Sequence, residues 1–246
     1  MRHGFQVPIG PGIRSALLVH GGGGGGWEWN VWRAVLEAAR LQVQAPDLQA
    51  SPRGLAETGF DDYAAQTGEA LARLPRPRAL VGASLGGLLA MACADGADAL
   101  VLVNPLPPSP WHAQLPRREW PDVVPWQRDA RLTGTHRAMP DADEATALFA
   151  FRHWRDESGR AMREAYAGVV VERPACPVLC IASMVDDDVP PALTAALATE
   201  WEASLLRATS VSHVGPLLGR GAADCAAQAR AWLLRQRAQA HNASFG

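Results

Sequence analysis

Short, unbroken apolar runs recur along this chain, and stretches of helical spacing separate them. Residues 15–20, 41–47, 78–83, 98–104, 177–183 and 203–209 read as strands. Residues 28–39, 61–74, 85–94, 190–200 and 219–235 read as helices. In the first of these, Trp29, Trp32, Val35 and Leu36 share one face. Runs that are continuous rather than alternating belong to strands covered on both sides, so the order predicts an α/β fold with a mostly parallel twisted sheet and helices on both faces.

The alternation stops once. Residues 105–140 carry eight prolines and three tryptophans and read as having no strand, and residues 140–168 read as helix. The expected organisation is therefore one α/β domain in two parts, 1–104 and 169–246, with residues 105–168 inserted as a cap. A chain of 246 residues buries enough surface to need neither disulfides nor metal.

Composition removes several chemistries. All 23 basic residues are arginine, so Schiff-base lysines, Ser–Lys dyads and the phosphate-loop lysine are excluded. Net charge is −2, which leaves no broad footprint for nucleic acid or anionic membrane. Cys93, Cys176, Cys180 and Cys225 form no CxxC pair and read as free thiols. No metal-binding spacing is present, and no cofactor is expected. The first apolar run, residues 16–19, is too short for a secretory leader, and no stretch has the ~18 apolar residues of a membrane span. The expectation is a cytoplasmic protein, monomeric or homodimeric, acting on a small molecule.

The sharpest local signal is Gly82-Ala83-Ser84-Leu85-Gly86, followed by Gly87, between a strand and a helix. Small neighbours let a serine occupy a tight turn, with its hydroxyl raised above the sheet and the Leu85 N–H facing it. Such a serine needs a base. Of seven histidines, His213 lies in the loop between the last strand and the last helix. A base needs an orienting carboxylate, and the loop holding Asp186, Asp187 and Asp188 leaves the neighbouring strand. The spacing alone does not separate the three aspartates. Residues 21–26 are all glycine, and the N–H of Gly22 or Gly23 is a candidate second donor to an oxyanion. His20, just before that run, reads as a brace for the loop.

These segments resemble the α/β-hydrolase superfamily over about residues 15–235, the insertion excepted. His20-Gly21-Gly22 is similar to the family's oxyanion loop, and Gly82–Gly87 is similar to its nucleophile elbow. Asp186, four residues before Pro190, is similar to its acid motif, although Ser183 stands where the family usually has glycine. The resemblance implies the α/β-hydrolase fold and a serine mechanism with Ser84 as nucleophile, His213 as base and Asp186 as acid. It places the oxyanion hole at Gly22 and Leu85. An ester with an apolar or aromatic group is the expected substrate. Trp27, Trp111, Trp126 and Trp154 are the candidate pocket walls, with Trp29, Trp120, Phe149 and Phe151 as further candidates. The same triad serves carbon–carbon, lactone and thioester hydrolysis. A hydrolase-derived ligand receptor is the alternative from another class.

Overall fold

The computed structural model describes residues 12–236. The elements run β1 (Ser15–Val19), α1 (Asn30–Ala38), β2 (Gln42–Gln44), α2 (Phe60–Ala72), β3 (Arg78–Ala83), α3 (Leu85–Ala92) and β4 (Ala99–Val103). After β4 come β5 (Val123–Val124), α4 (Leu132–Ala138), α5 (Glu144–His153), β6 (Glu157–Ser158) and α6 (Gly159–Gly168). The chain ends with β7 (Val178–Ala182), α7 (Pro191–Glu200), β8 (Ser204–Arg207), α8 (Gly215–Leu218) and α9 (Ala222–Arg235).

The six-stranded sheet has the order β2-β1-β3-β4-β7-β8 and is parallel throughout. Every residue of β1, β4 and β7 is buried. Successive side chains along a strand enter opposite layers. Leu17, Val19, Leu80, Leu100 and Leu102 pack with α2, α3 and α7. Ala16, Leu18, Val81, Val101 and Ile181 pack with α1 and α9, among Trp29, Trp32 and Leu36. Two-sided burial explains why the central strands are unbroken apolar runs. The edge strands are shorter than their sequence suggests. Gln42 and Gln44 on β2, and Ser204 and Arg207 on β8, face solvent and blunt the edges.

The strand order places the site. From β1 the chain moves to β2 on one side, then returns across β1 to β3 on the other. The switch point therefore lies between the C-terminal ends of β1 and β3, where a crevice opens in such sheets. Val19 pairs with Gly82, Ala83 with Val103 and Val103 with Ile181, so the loops after these strands leave from one edge.

Residues 104–177 add no strand to this sheet. They differ from the sequence reading in two respects. Val123–Val124 pairs antiparallel with Glu157–Ser158, although no strand was expected there. The single helix expected over 140–168 is two helices, because Asp143 caps α5 by accepting the Thr146 N–H and Ser158 caps α6 by accepting the Ala161 N–H. No helix among the described residues is long and apolar enough to cross a membrane.

Candidate active site

Ser84 sits between β3 and α3 with φ 54° and ψ −120°, a conformation costing about 1–3 kcal/mol for a residue with a side chain. The surroundings hold it there. The Ser84 N–H donates to the Val103 carbonyl at 3.0 Å, and the Ser84 carbonyl accepts the N–H groups of Gly87 and Leu106. The start of α3 lies so close behind β3 that a Cβ at Gly82 would come within 2.0 Å of the Gly86 carbonyl oxygen. The glycines of the turn are thus dictated by backbone contact, and the side chain they present is a half-buried serine facing a cavity.

The glycine run leaves β1 beside this turn. His20 is buried, with Nδ1 2.7 Å from the Gly21 carbonyl oxygen and Nε2 accepting the Leu48 N–H at 2.9 Å. This pattern fixes a neutral ring with its proton on Nδ1, and burial lowers its pKa in agreement. His20 braces the loop. Gly23 has φ +72°, and a Cβ there would come within 2.3 Å of the Trp126 ring. Its N–H is occupied, donating to Glu157 Oε2 at 2.9 Å. The N–H groups of Gly22 and Leu85 have no hydrogen-bond partner among the described residues; Leu85 follows Ser84 in the turn, and Gly22 lines the cavity that Ser84 faces.

Of the three aspartates, the structure brings Asp186 to His213. The His213 Nδ1–H donates to Asp186 Oδ2 at 2.7 Å, and Asp186 Oδ1 accepts the N–H groups of Asp188 and Val189, both at 2.9 Å. The Asp186 side chain is fully buried. Asp187 is exposed, and Asp188 pairs with Arg118. Burial acts to lower the His213 pKa. The hydrogen bond and charge of Asp186, together with the charges of Asp188 and Glu28, outweigh it, so the pKa lies above the usual 6.5.

Ser84, His213, Gly22 and Gly23 line one cavity of about 680 Å³, with Leu106, Met162, Tyr166, Val214 and Leu217. Trp126 and Trp154 line it, and so does Trp120, edge-on to Trp126 at 5.9 Å and to Tyr166 at 5.1 Å. Trp27 and Trp111, expected as walls, lie outside the lining. Trp27 packs edge-on behind Trp154 at 5.2 Å and against Phe149, and Trp111 packs on the core. Trp29 is fully buried against Trp32. Phe149 and Phe151 also lie outside the lining. All four cysteines are free, and burial pushes the Cys180 and Cys225 thiols up to about 12, so neither is a thiolate near neutral pH.

The sequence model of the alpha/beta hydrolase family matches residues 16–228. The chain belongs to the alpha/beta hydrolase family. No curated protein is significantly similar to this hydrolase in sequence. Solved structures are similar to it in fold. A polyneuridine aldehyde esterase is 19% identical, with a TM-score of 0.69 over 88% of this chain and 99% of that one. A methylesterase from Arabidopsis is 16% identical, with a TM-score of 0.67 over 89% and 99%. A pyrethroid hydrolase from Sphingobium faniae is 19% identical, with a TM-score of 0.65 over 88% and 96%.

Four residues of this hydrolase's site were not anticipated from the sequence. Asn104, in the left-handed region at φ 40°, donates to the His213 carbonyl and to Ser183 Oγ. Ser183 in turn donates to the Ser212 carbonyl, so the residue that departs from the family's glycine ties the acid and histidine loops together. Asp141 accepts the Ser212 hydroxyl and the Val211 N–H, which holds the histidine loop from the inserted segment. Glu157, in β6, accepts the Gly23 N–H. The fourth, Glu28, lines the cavity and is buried, with the Gly21 N–H donating to Oε2 at 3.3 Å. Burial pushes its carboxyl from 4.5 up to about 8.

That shift has a consequence for stability. Between pH 4.5 and about 8 the folded state holds a proton on Glu28 that the unfolded state has lost, so stability falls as pH rises through this window and levels off above it. At about 1.4 kcal/mol per pKa unit, the total is on the order of 5 kcal/mol. Glu28→Gln keeps a carbonyl for the Gly21 N–H and removes the titration. The variant is expected to lose less stability than wild type between pH 5 and 8, measured as the difference between their denaturant-unfolding free energies. Parallel pH curves would contradict this.

Proposed function

We propose that this protein is a serine hydrolase that cleaves a small to medium carboxylic ester carrying an apolar or aromatic group. The observation that carries the reading is the buried Asp186–His213 hydrogen bond on the wall of the cavity that Ser84 faces. In this reading His213 Nε2 takes the proton of the Ser84 hydroxyl as Oγ attacks the ester carbonyl. Asp186 holds the imidazole with its proton on Nδ1 and stabilises the imidazolium that forms. The N–H groups of Gly22 and Leu85 receive the oxyanion as the tetrahedral intermediate develops. His213 then protonates the leaving alcohol, and water, activated by the same imidazole, releases the acid from Ser84. No step calls for a cofactor.

The cavity suits substrates of drug-like size, since ligand pockets span roughly 300–1,000 Å³. Its tryptophans, Met162 and Leu217 favour an apolar or aromatic group. The three structural neighbours, named as two esterases and a pyrethroid hydrolase, are in keeping with this class. The test is initial rates on p-nitrophenyl esters of two to twelve carbons. Turnover with an optimum at short to middle chain lengths is the expected result. Folded protein that turns over none of them would overturn the reading.

A further inference from the structure

Gly23 is held from both sides by the segment that leads into β6. The Arg155 N–H donates to the Gly23 carbonyl at 2.8 Å, and the Gly23 N–H donates to Glu157 Oε2 at 2.9 Å. The other oxygen of Glu157 accepts the Tyr63 hydroxyl at 2.6 Å and the Ser158 N–H at 2.7 Å. Glu157 is 4% exposed and Tyr63 2%. Burying a carboxyl is costly unless donors surround it, and here three donors meet its two oxygens. A bridge between the inserted segment and α2 could be built from apolar side chains. A carboxyl adds what apolar side chains lack, an acceptor for a backbone N–H of the glycine loop.

The geometry says what that hold achieves. Peptide units are planar, so anchoring one group of a unit orients the other. On one side of Gly22, the His20 ring anchors the Gly21 carbonyl, which lies in the same plane as the Gly22 N–H. On the other side, Glu157 anchors the Gly23 N–H, which lies in the same plane as the Gly22 carbonyl. Gly22 has no side chain to fix its torsions, so these two anchors define them. They also take the Gly23 N–H out of use and leave the N–H of Gly22, which lines the cavity that Ser84 faces, without a partner among the described residues.

We propose that Glu157 is a positioning residue for the oxyanion hole. It fixes Gly22 through Gly23, and so makes the hole depend on the seating of the inserted segment. The proposal rests on the serine-hydrolase reading above. Glu157→Gln tests it with little change in volume. A glutamine is best satisfied with its carbonyl toward Tyr63 and Ser158, which turns its NH₂ against the Gly23 N–H, donor against donor.

The measurements are kcat and KM on the best p-nitrophenyl ester, together with inhibition by two aryl ketones. A trifluoromethyl ketone is attacked at its carbonyl carbon by Ser84 Oγ, whose proton passes to His213, and forms a hemiketal oxyanion, while the matching methyl ketone binds without reacting. Deleting an oxyanion donor costs about 10²–10³ in rate, so misplacing one is expected to lower kcat by about 10–100-fold. KM should stay within about threefold, since the interaction is made only in the transition state. The trifluoromethyl ketone should weaken in step with kcat/KM, and the methyl ketone should not weaken. Tyr63→Phe, which removes one donor to Glu157, should show a smaller loss of the same kind, and it decides the matter if Glu157→Gln does not fold. Wild-type kcat and ketone affinity in the variants, or equal weakening of both ketones, would overturn the proposal alone. A wild-type protein that hydrolyses no ester and binds no trifluoromethyl ketone would overturn the hydrolase reading and this proposal with it.

Discussion

Ser84→Ala is expected to lower kcat/KM on the best aryl ester by about 10⁴–10⁶-fold, to a residue set by the oxyanion donors and substrate binding alone. The fold should survive the change. The positive φ of Ser84 is held by its backbone bonds to Val103, Gly87 and Leu106, none of which involves the hydroxyl. Alanine keeps the Cβ and so keeps the same strain, and the thermal midpoint should move little. The rates are to be read with the midpoint on the same preparation. Retention of more than about 1% of wild-type activity by a folded variant would mean that another group performs the attack, since triad nucleophiles cost far more than that.

Asp186→Asn is the second large effect, expected to lower kcat by about 10³–10⁴-fold. An asparagine best serves the Asp188 and Val189 N–H groups by turning its carbonyl toward them, as Asp186 Oδ1 does. Its NH₂ then faces His213 Nδ1 and forces the ring proton onto Nε2. In that tautomer His213 has no lone pair to take the Ser84 proton. A second signature accompanies the loss. Burial lowers the His213 pKa while Asp186, Asp188 and Glu28 raise it, so removing the Asp186 charge and its hydrogen bond moves the pKa down. A general base works when neutral, and the acid limb of kcat/KM should therefore move to lower pH. Asp187→Asn, at an exposed position in the same loop, should leave both rate and limb near wild type. Equal effects at 186 and 187 would contradict the role given to Asp186.

What the sequence disclosed and what it hid divide along physical lines. The central strands were legible because burial on two faces demands unbroken apolar runs, and the elbow because backbone contact at Gly82 demands glycine. The edge strands were overextended because apolar residues such as Leu41 and Ala208 stay buried just beyond the ends of β2 and β8, so an apolar run does not report where the strand ends. Within the inserted segment, β6 and the roles of Asp141 and Glu157 depend on partners remote in the chain. Glu157 meets Tyr63 and Gly23 across 94 and 134 residues, and no local pattern reports such a bond. Trp27 and Trp111 show the limit of composition, since a tryptophan near a pocket packs behind its wall as readily as in it. Glu28 had one readable sign, a carboxyl set between Trp27 and Trp29 at the end of the glycine run.

The central claim is that an acyl group passes through Ser84, and its most direct test is to trap that intermediate. The protein is mixed with a p-nitrophenyl ester, quenched in acid within milliseconds, digested, and its peptides are weighed. The expected result is a mass increase equal to the acyl group on the peptide containing Ser84, absent from Ser84→Ala and decaying at the turnover rate. Turnover with no acylated Ser84 at any quench time, or with the acyl group on one of the four cysteines instead, would contradict it.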